Sequence, residues 1–141
     1  MPHAGALAMS DVADRLRQRT LGYTVRIIQY CKTLPNDWVA REGGRQLLGA
    51  GMGVSGNYWS ACRGRSDKEF VAKLGVASDE AEENVLWLTA ISESAIRNDR
   101  ETRELLAEGK ELRAILAKSA KTAKDNRRRK KQERTNQLTR S

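Results

Sequence analysis

Little in this chain supports a covalent framework or a catalytic centre. Only two of its 141 residues are cysteine, Cys31 and Cys62, which excludes a disulfide framework. Each sits inside an apolar pattern and reads as a small buried hydrophobe of a reducing compartment. Only two prolines occur, Pro2 and Pro35, so most of the chain is free to be helix. The single histidine, His3, leaves the cysteines and serines without an imidazole base in a plausible folded position. No apolar run approaches the ~20 residues of a membrane span. The N-terminus lacks the basic start and apolar core of a signal peptide, and the expected location is the cytoplasm. Aromatics make up 5% of the chain, whereas charged residues make up 31%, a balance that suits a helical bundle with long solvated faces. The length fits one domain with a core of its own.

What is present is helical periodicity. Residues 1–10 are small, apolar and unpatterned, and are expected to form a flexible leader. Ser10 or Asp11 can cap a first helix. Val12, Leu16, Thr20, Tyr23, Ile27, Tyr30 and Leu34 then recur at spacings of four and three, which predicts a helix over 11–33. Pro35 ends it, and Asn36 or Asp37 can cap the next, over 37–64. That segment is poor by propensity, since Gly43, Gly44, Gly49, Gly51, Gly53 and Gly56 each cost about 1 kcal/mol relative to alanine. Gly43, Leu47, Val54, Tyr58 and Ala61 nevertheless share one helical face, and glycines let neighbouring backbones approach closely. A break near 49–56 is the competing outcome. Ser66-Asp67-Lys68-Glu69 fits a capping box for a third helix over 67–97, with Phe70, Leu74, Ala77, Ala81, Leu88 and Ile91 inward. Asp99 can cap a fourth over 99–123, carrying Leu105, Gly109, Leu112, Leu116 and Ser119. The tail 124–141 is nearly devoid of apolar residues and is expected to be frayed helix or disordered. Residues 11–123 thus form an all-α, antiparallel four-helix bundle.

The formal charge of +8 is unevenly spread. Residues 127–141 hold seven Lys/Arg against one Glu, and residues 1–66 hold nine against four acids. Residues 67–126 hold ten against thirteen acids. Such asymmetry points to a polyanionic partner, although net charge alone also aids solubility. The candidate phosphate-binding groups are Arg15, Arg17, Arg19 and Arg26 on helix one and Arg41, Arg45, Arg63 and Arg65 around helix two. The run Arg127, Arg128, Arg129, Lys130 and Lys131 joins them. Arginine suits phosphate because its planar fork donates two parallel hydrogen bonds and keeps its charge. Any one of them is more often a solvated arginine paired with a nearby acid, and the tail run also reads as a solubilising terminus. A basic run of this kind holds phosphates without reading bases.

Helix two is apolar on two sides. Opposite its core face lie Trp38, Leu48, Met52 and Trp59 among arginines. A helix apolar on two sides is buried on two sides, against another helix, a second subunit or nucleic acid. Trp, Met and Arg are enriched at interface cores, so these four are read as a subunit interface of a closed homo-oligomer. Glu80 and Glu83 lie one turn apart on helix three. A bundle di-metal site needs matching glutamates and Glu-x-x-His motifs on other helices, which this chain lacks. Gln46, Asn57, Glu80 and Glu83 are therefore read as polar groups bonding between helices in the core. No Gly-rich loop follows a strand, so the glycines are not a phosphate cradle. No cofactor, metal or catalysis is expected.

In order along the chain stand Arg19-Thr20, Tyr23, Leu34-Pro35, Gln46-Leu47-Leu48, Val54-Ser55-Gly56-Asn57-Tyr58, Ala61-Cys62-Arg63 and Arg65-Ser66. Phe70, Lys73-Leu74-Gly75, Glu80-Ala81-Glu82-Glu83 and Trp87-Leu88 follow. Together they resemble the bacterial four-helix-bundle family of 23S rRNA intervening-sequence proteins. That family is related to the accessory variability determinant of diversity-generating retroelements. The resemblance covers about residues 15–120. It implies an up-down bundle, assembly into a homopentameric barrel and a basic surface. In the retroelement relatives it further implies RNA or DNA binding and a reverse transcriptase as partner during mutagenic copying. An adaptor homo-oligomer that binds a protein partner is the alternative role. The sequence departs from the family pattern where the glycine and serine at Gly53 and Ser55 have exchanged places, where Trp59 and Leu86 replace more familiar residues, and in its longer, more basic tail.

Overall fold

A computed structural model of the chain describes the backbone of residues 4–140 and the side chains of 11–140. Four helices follow one another: α1 Ala4–Lys32, α2 Trp38–Cys62, α3 Asp67–Glu93 and α4 Arg100–Arg140. They pack in ring order, α1 on α2, α2 on α3 and α3 on α4, and α4 returns to α1 along the thinnest seam. The links are only a few residues long, so consecutive helices run antiparallel. Among the described residues there is no strand. This is the all-α four-helix bundle that the periodicity predicts.

The ends are set by identifiable groups. Asp37 takes an extended conformation, and its carboxylate accepts the Ala40 N–H at 2.9 Å. Ser66 Oγ accepts the Glu69 N–H at 3.1 Å, while Glu69 reaches back to the Arg65 N–H rather than to Ser66. Asp99 caps α4 by accepting from the Thr102 N–H at 3.0 Å and its hydroxyl at 2.9 Å. Helix α3 stops at Glu93 rather than near Arg97. Ala95 adopts a left-handed φ of 60°. The Ala95 and Ile96 N–H groups then turn back to Ser92 and Ile91 at 3.1 and 3.2 Å, a Schellman closure with alanine where glycine is usual.

Two boundaries correct the expectations. Helix α1 begins at Ala4, so residues 4–10 continue the helix instead of forming a leader. Residues 1–3, with His3, lie outside the described residues, as does Ser141. Helix α4 runs on to Arg140 because the tail is rich in Lys, Arg, Gln and Glu, all good helix formers. Forty-one residues make α4 about 60 Å long, against about 40 Å for the 27 residues of α3.

Helix α2 is continuous through its glycines, and two of them explain why. A Cβ on Gly51 would lie 2.7 Å from Ile27 Cγ2 of α1. One on Gly53 would lie 2.6 Å from Glu80 Cδ of α3. Close approach to both neighbours offsets the low helix propensity. Thr24 donates to the Gly51 carbonyl at 2.8 Å and meets Ser55 Oγ at 2.7 Å in the same contact. One core cluster gathers Tyr23, Ile27, Tyr30, Leu47, Leu88 and Leu105, and a second gathers Val54, Tyr58, Leu74, Ala77, Ala81 and Leu116.

The expected polar core is displaced. Gln46 and Glu83 are exposed, each one residue, or 100° of helix, away from the buried Leu47 and Asn84. Gln46 bonds Glu42 one turn back, and Asn57 turns to its own Gly53 carbonyl. Glu80 alone reaches another helix, lying over Gly53. Partial burial, with Glu83 and Asp79 nearby, raises its pKa. The buried polar role falls to Asn84, which donates to the Glu80 carbonyl at 3.0 Å and accepts from the Tyr23 hydroxyl at 3.4 Å. Val12 and Phe70, expected inward, are 58% and 37% exposed. They flank an open apolar groove of about 510 Å³ at the bundle end, together with Leu16 and Tyr58.

Candidate nucleic-acid interface

The outer face of α2 is unpartnered in the protomer. Trp38 is 76% and Met52 53% exposed, and Leu48 is half-buried. Trp59 behaves differently. Its indole N–H donates to the Arg17 carbonyl at 3.1 Å, and the Arg17 guanidinium stands 6.0 Å from its ring centroid. Part of the ring expected at a subunit interface is therefore spent on α1. On the same face Arg41 donates to Asn36 at 3.0 Å. Arg45, Arg63 and Arg65 are exposed, and none of them has an acidic side-chain partner within salt-bridge distance among the described residues.

Each arginine of α1 meets an acid of the same chain. Arg15 pairs with Asp11 at 2.6 Å and Arg17 with Asp14. Arg19 grips Glu108 through two nitrogens, at 2.9 and 2.6 Å, and also reaches Glu111. Arg26 spans Glu101 and Glu104 at 3.3 and 3.2 Å. The hydrogen bonds from Arg19 hold the Glu108 carboxyl below its ordinary range. The acids of residues 101–111 thus face α1 and pair with Arg19 and Arg26, while Arg15 and Arg17 are paired within α1.

A group of cations collects at the end of the bundle where α2 hands over to α3. The link there carries Arg63 and Arg65, and α4 passes the first residue of α3 with Lys130 bonded to Asp67 at 3.1 Å. Asp67, Lys68, Arg127, Lys130, Lys131 and Arg134 surround a cleft of about 320 Å³. Arg128 and Arg129 of the same basic run do not line it; Arg129 donates to Asn126.

A polar cluster that the sequence reading missed locks the opposite end. Arg97 lies 4.1 Å above the Tyr30 ring, donates to the Tyr30 carbonyl at 3.1 Å and Thr33 Oγ1 at 2.7 Å, and pairs with Asp99 at 2.8 Å. Tyr30 and Thr102 share a hydroxyl contact at 2.8 Å. The Thr102 N–H and Arg97 together hold Asp99 down to about 2. Burial pushes the Cys31 thiol up to about 11, which keeps it in the unreactive protonated form at neutral pH. Among the described residues no group of His, Cys, Asp and Glu is placed to hold a metal ion. No helix among them is long and apolar enough to cross a membrane.

Fold and surface together define a small four-helix-bundle protein with exposed apolar side chains on the outer face of α2 and a cluster of cations where α4 passes the start of α3. The sequence profile of the 23S rRNA-intervening sequence protein family matches residues 15–118, and the chain belongs to that family. It is also similar to a crystal structure from Bacteroides thetaiotaomicron, described as a protein with unknown function from the S23 ribosomal protein family. The TM-score is 0.71 at 23% identity, over 77% of this chain and 97% of that one. No curated protein matches the chain.

Proposed function

We propose that this protein is a non-enzymatic, cytoplasmic homo-oligomer that binds nucleic acid as an accessory factor. The observation that carries the reading is the sorting of its cations. The arginines of α1 are paired within the chain, whereas Arg45, Arg63, Arg65 and the basic end of α4 remain available to phosphate. The binding surface is therefore narrower than the full set of arginines. Exposed Trp38 and Met52 on α2 supply the subunit contact, since Trp and Met are enriched at interface cores. Assembly into a ring, a pentamer on the family resemblance, multiplies the basic ends around one rim so that their fields add. The same resemblance makes the reverse transcriptase of a diversity-generating retroelement the proposed protein partner.

Light scattering on the purified full chain, followed by a salt series of duplex binding, tests the reading. The expected result is a defined oligomer whose affinity falls linearly on a log–log plot against salt. A monomer in dilute solution, or binding indifferent to salt, overturns it. A specific complex with an acidic protein in the absence of duplex binding would assign the adaptor role instead.

A further inference from the structure

The apolar stripe of α4 becomes basic without leaving its face. Leu116, Ala120 and Ala123 pack against the second core cluster. Counting on by the same steps of four and three gives Arg127, Lys130, Lys131 and Arg134. The side of the helix that seals the bundle is thus the side that carries the cations once α4 reaches the start of α3. These four and Lys68 face a common cleft. The matched family region ends at residue 118, before this segment begins.

We propose that this cleft seats the phosphate backbone of a nucleic-acid duplex, and that Asp67 competes with phosphate for Lys130. The inference rests on the nucleic-acid-binding reading above and locates it. From Arg127 to Arg134 the helix rises about 10 Å, comparable with three base-pair steps of a duplex at about 3.4 Å of axial rise each. Residues 121–141 contain no aromatic side chain. The cleft therefore lacks the stacking platform on which single strands are held, and backbone contact to a double helix is the chemistry left to it. Contacts of that kind position a duplex without reading its sequence. Asp67 is the one carboxylate on the cleft, and its contact with Lys130 must give way when a phosphate enters.

Two charge-matched variants of the full chain test the proposal, with short RNA and DNA duplexes as probes across a salt series. R127Q/R134Q removes two cations from the cleft, and R128Q/R129Q removes two from the same run outside it. Arg128, Arg129 and Arg134 are exposed and Arg127 is half-buried, so both variants are expected to keep the fold, as circular dichroism will verify. The cleft variant is expected to bind at least about tenfold more weakly and to lower the salt slope by about two, one for each lost phosphate contact. The control is expected to change the slope by less than about one. D67N is expected to tighten binding, whereas D125N, on the far side of α4, leaves it unchanged. Equal weakening by the two double variants overturns the cleft while leaving nucleic-acid binding intact. Absence of duplex binding by the wild type overturns both readings. Displacement of the duplex by inorganic phosphate at millimolar level would reassign the cleft to a free anion and overturn the proposal.

Discussion

Replacing Gly51 by alanine should destabilise the protein even though alanine is the better helix former. Gly51→Ala gains about 1 kcal/mol of helix propensity. Against that, the new Cβ would stand 2.7 Å from Ile27 Cγ2 and 3.2 Å from Ile27 Cβ. Ile27 is fully buried and β-branched, so its χ1 cannot rotate the methyl away. Overpacking of this kind costs typically about 1–3 kcal/mol, and the stiff neighbour puts this case at the upper end. The net loss is about 1–2 kcal/mol, or roughly 4–8 °C in melting temperature for a chain of this size. Gly75→Ala on α3 is the internal control. Nothing lies within 4 Å of its Cβ position, so it should stabilise by about 0.5–1 kcal/mol. Urea and thermal unfolding at one fixed protein concentration compare the three proteins, because assembly makes stability depend on concentration. Adding Ile27→Leu, which removes the branch at Cβ, should recover part of the Gly51→Ala loss and appear as coupling in a double-mutant cycle. If Gly51→Ala were as stabilising as Gly75→Ala, the close approach of α1 and α2 would be refuted.

Ala95→Gly should stabilise by about 1 kcal/mol, because glycine takes a left-handed φ without the Cβ clash; chemical denaturation measures it. Asp99 has its folded pKa lowered to about 2 from an ordinary value near 3.9. Its contribution is therefore complete above about pH 4 and is lost as pH falls towards 2; Asp99→Asn should flatten an acid-unfolding curve in that window. Asn84→Ala should cost about 1–3 kcal/mol by leaving the buried Tyr23 hydroxyl without its acceptor, and Tyr23→Phe in the same background should relieve part of it. Arg19→Gln with Arg26→Gln should leave the salt slope of duplex binding unchanged, since both guanidinium groups are already engaged by α4.

How much was legible in the sequence depended on whether the signal was local. Asp37, Ser66 and Asp99 act as caps because an acceptor side chain ahead of an apolar-periodic run has a short-range use. Pro35 ends α1 nearby for the same reason. Gln46 and Glu83 lie outside the core although read into it, because one residue is 100° of helix and the buried Leu47 and Asn84 stand next to them. The end of α3 was missed because alanine at a left-handed position carries no signature. The length of α4 was missed because a polar helix shows no apolar period to count. The engagement of Arg19 and Arg26 with residues 101–111 is a long-range pairing that no local pattern encodes. Part of the candidate site was visible as a basic run, but its division into cleft-facing and outward cations needed the helical phase of α4.

The two arginine clasps between α1 and α4 also work as a vernier. Arg19 and Arg26 are seven residues apart, and so are their partners Glu108 and Glu101, and Glu111 and Glu104. Partly exposed ion pairs of this sort add little to stability. A slide of α4 by one turn, however, would leave one of the two arginines with a single carboxylate, because the acid stripe ends at Glu101 and Glu111. The ladder thereby fixes how far α4 protrudes, and with it the height at which its positive tip meets whatever lies beyond the bundle.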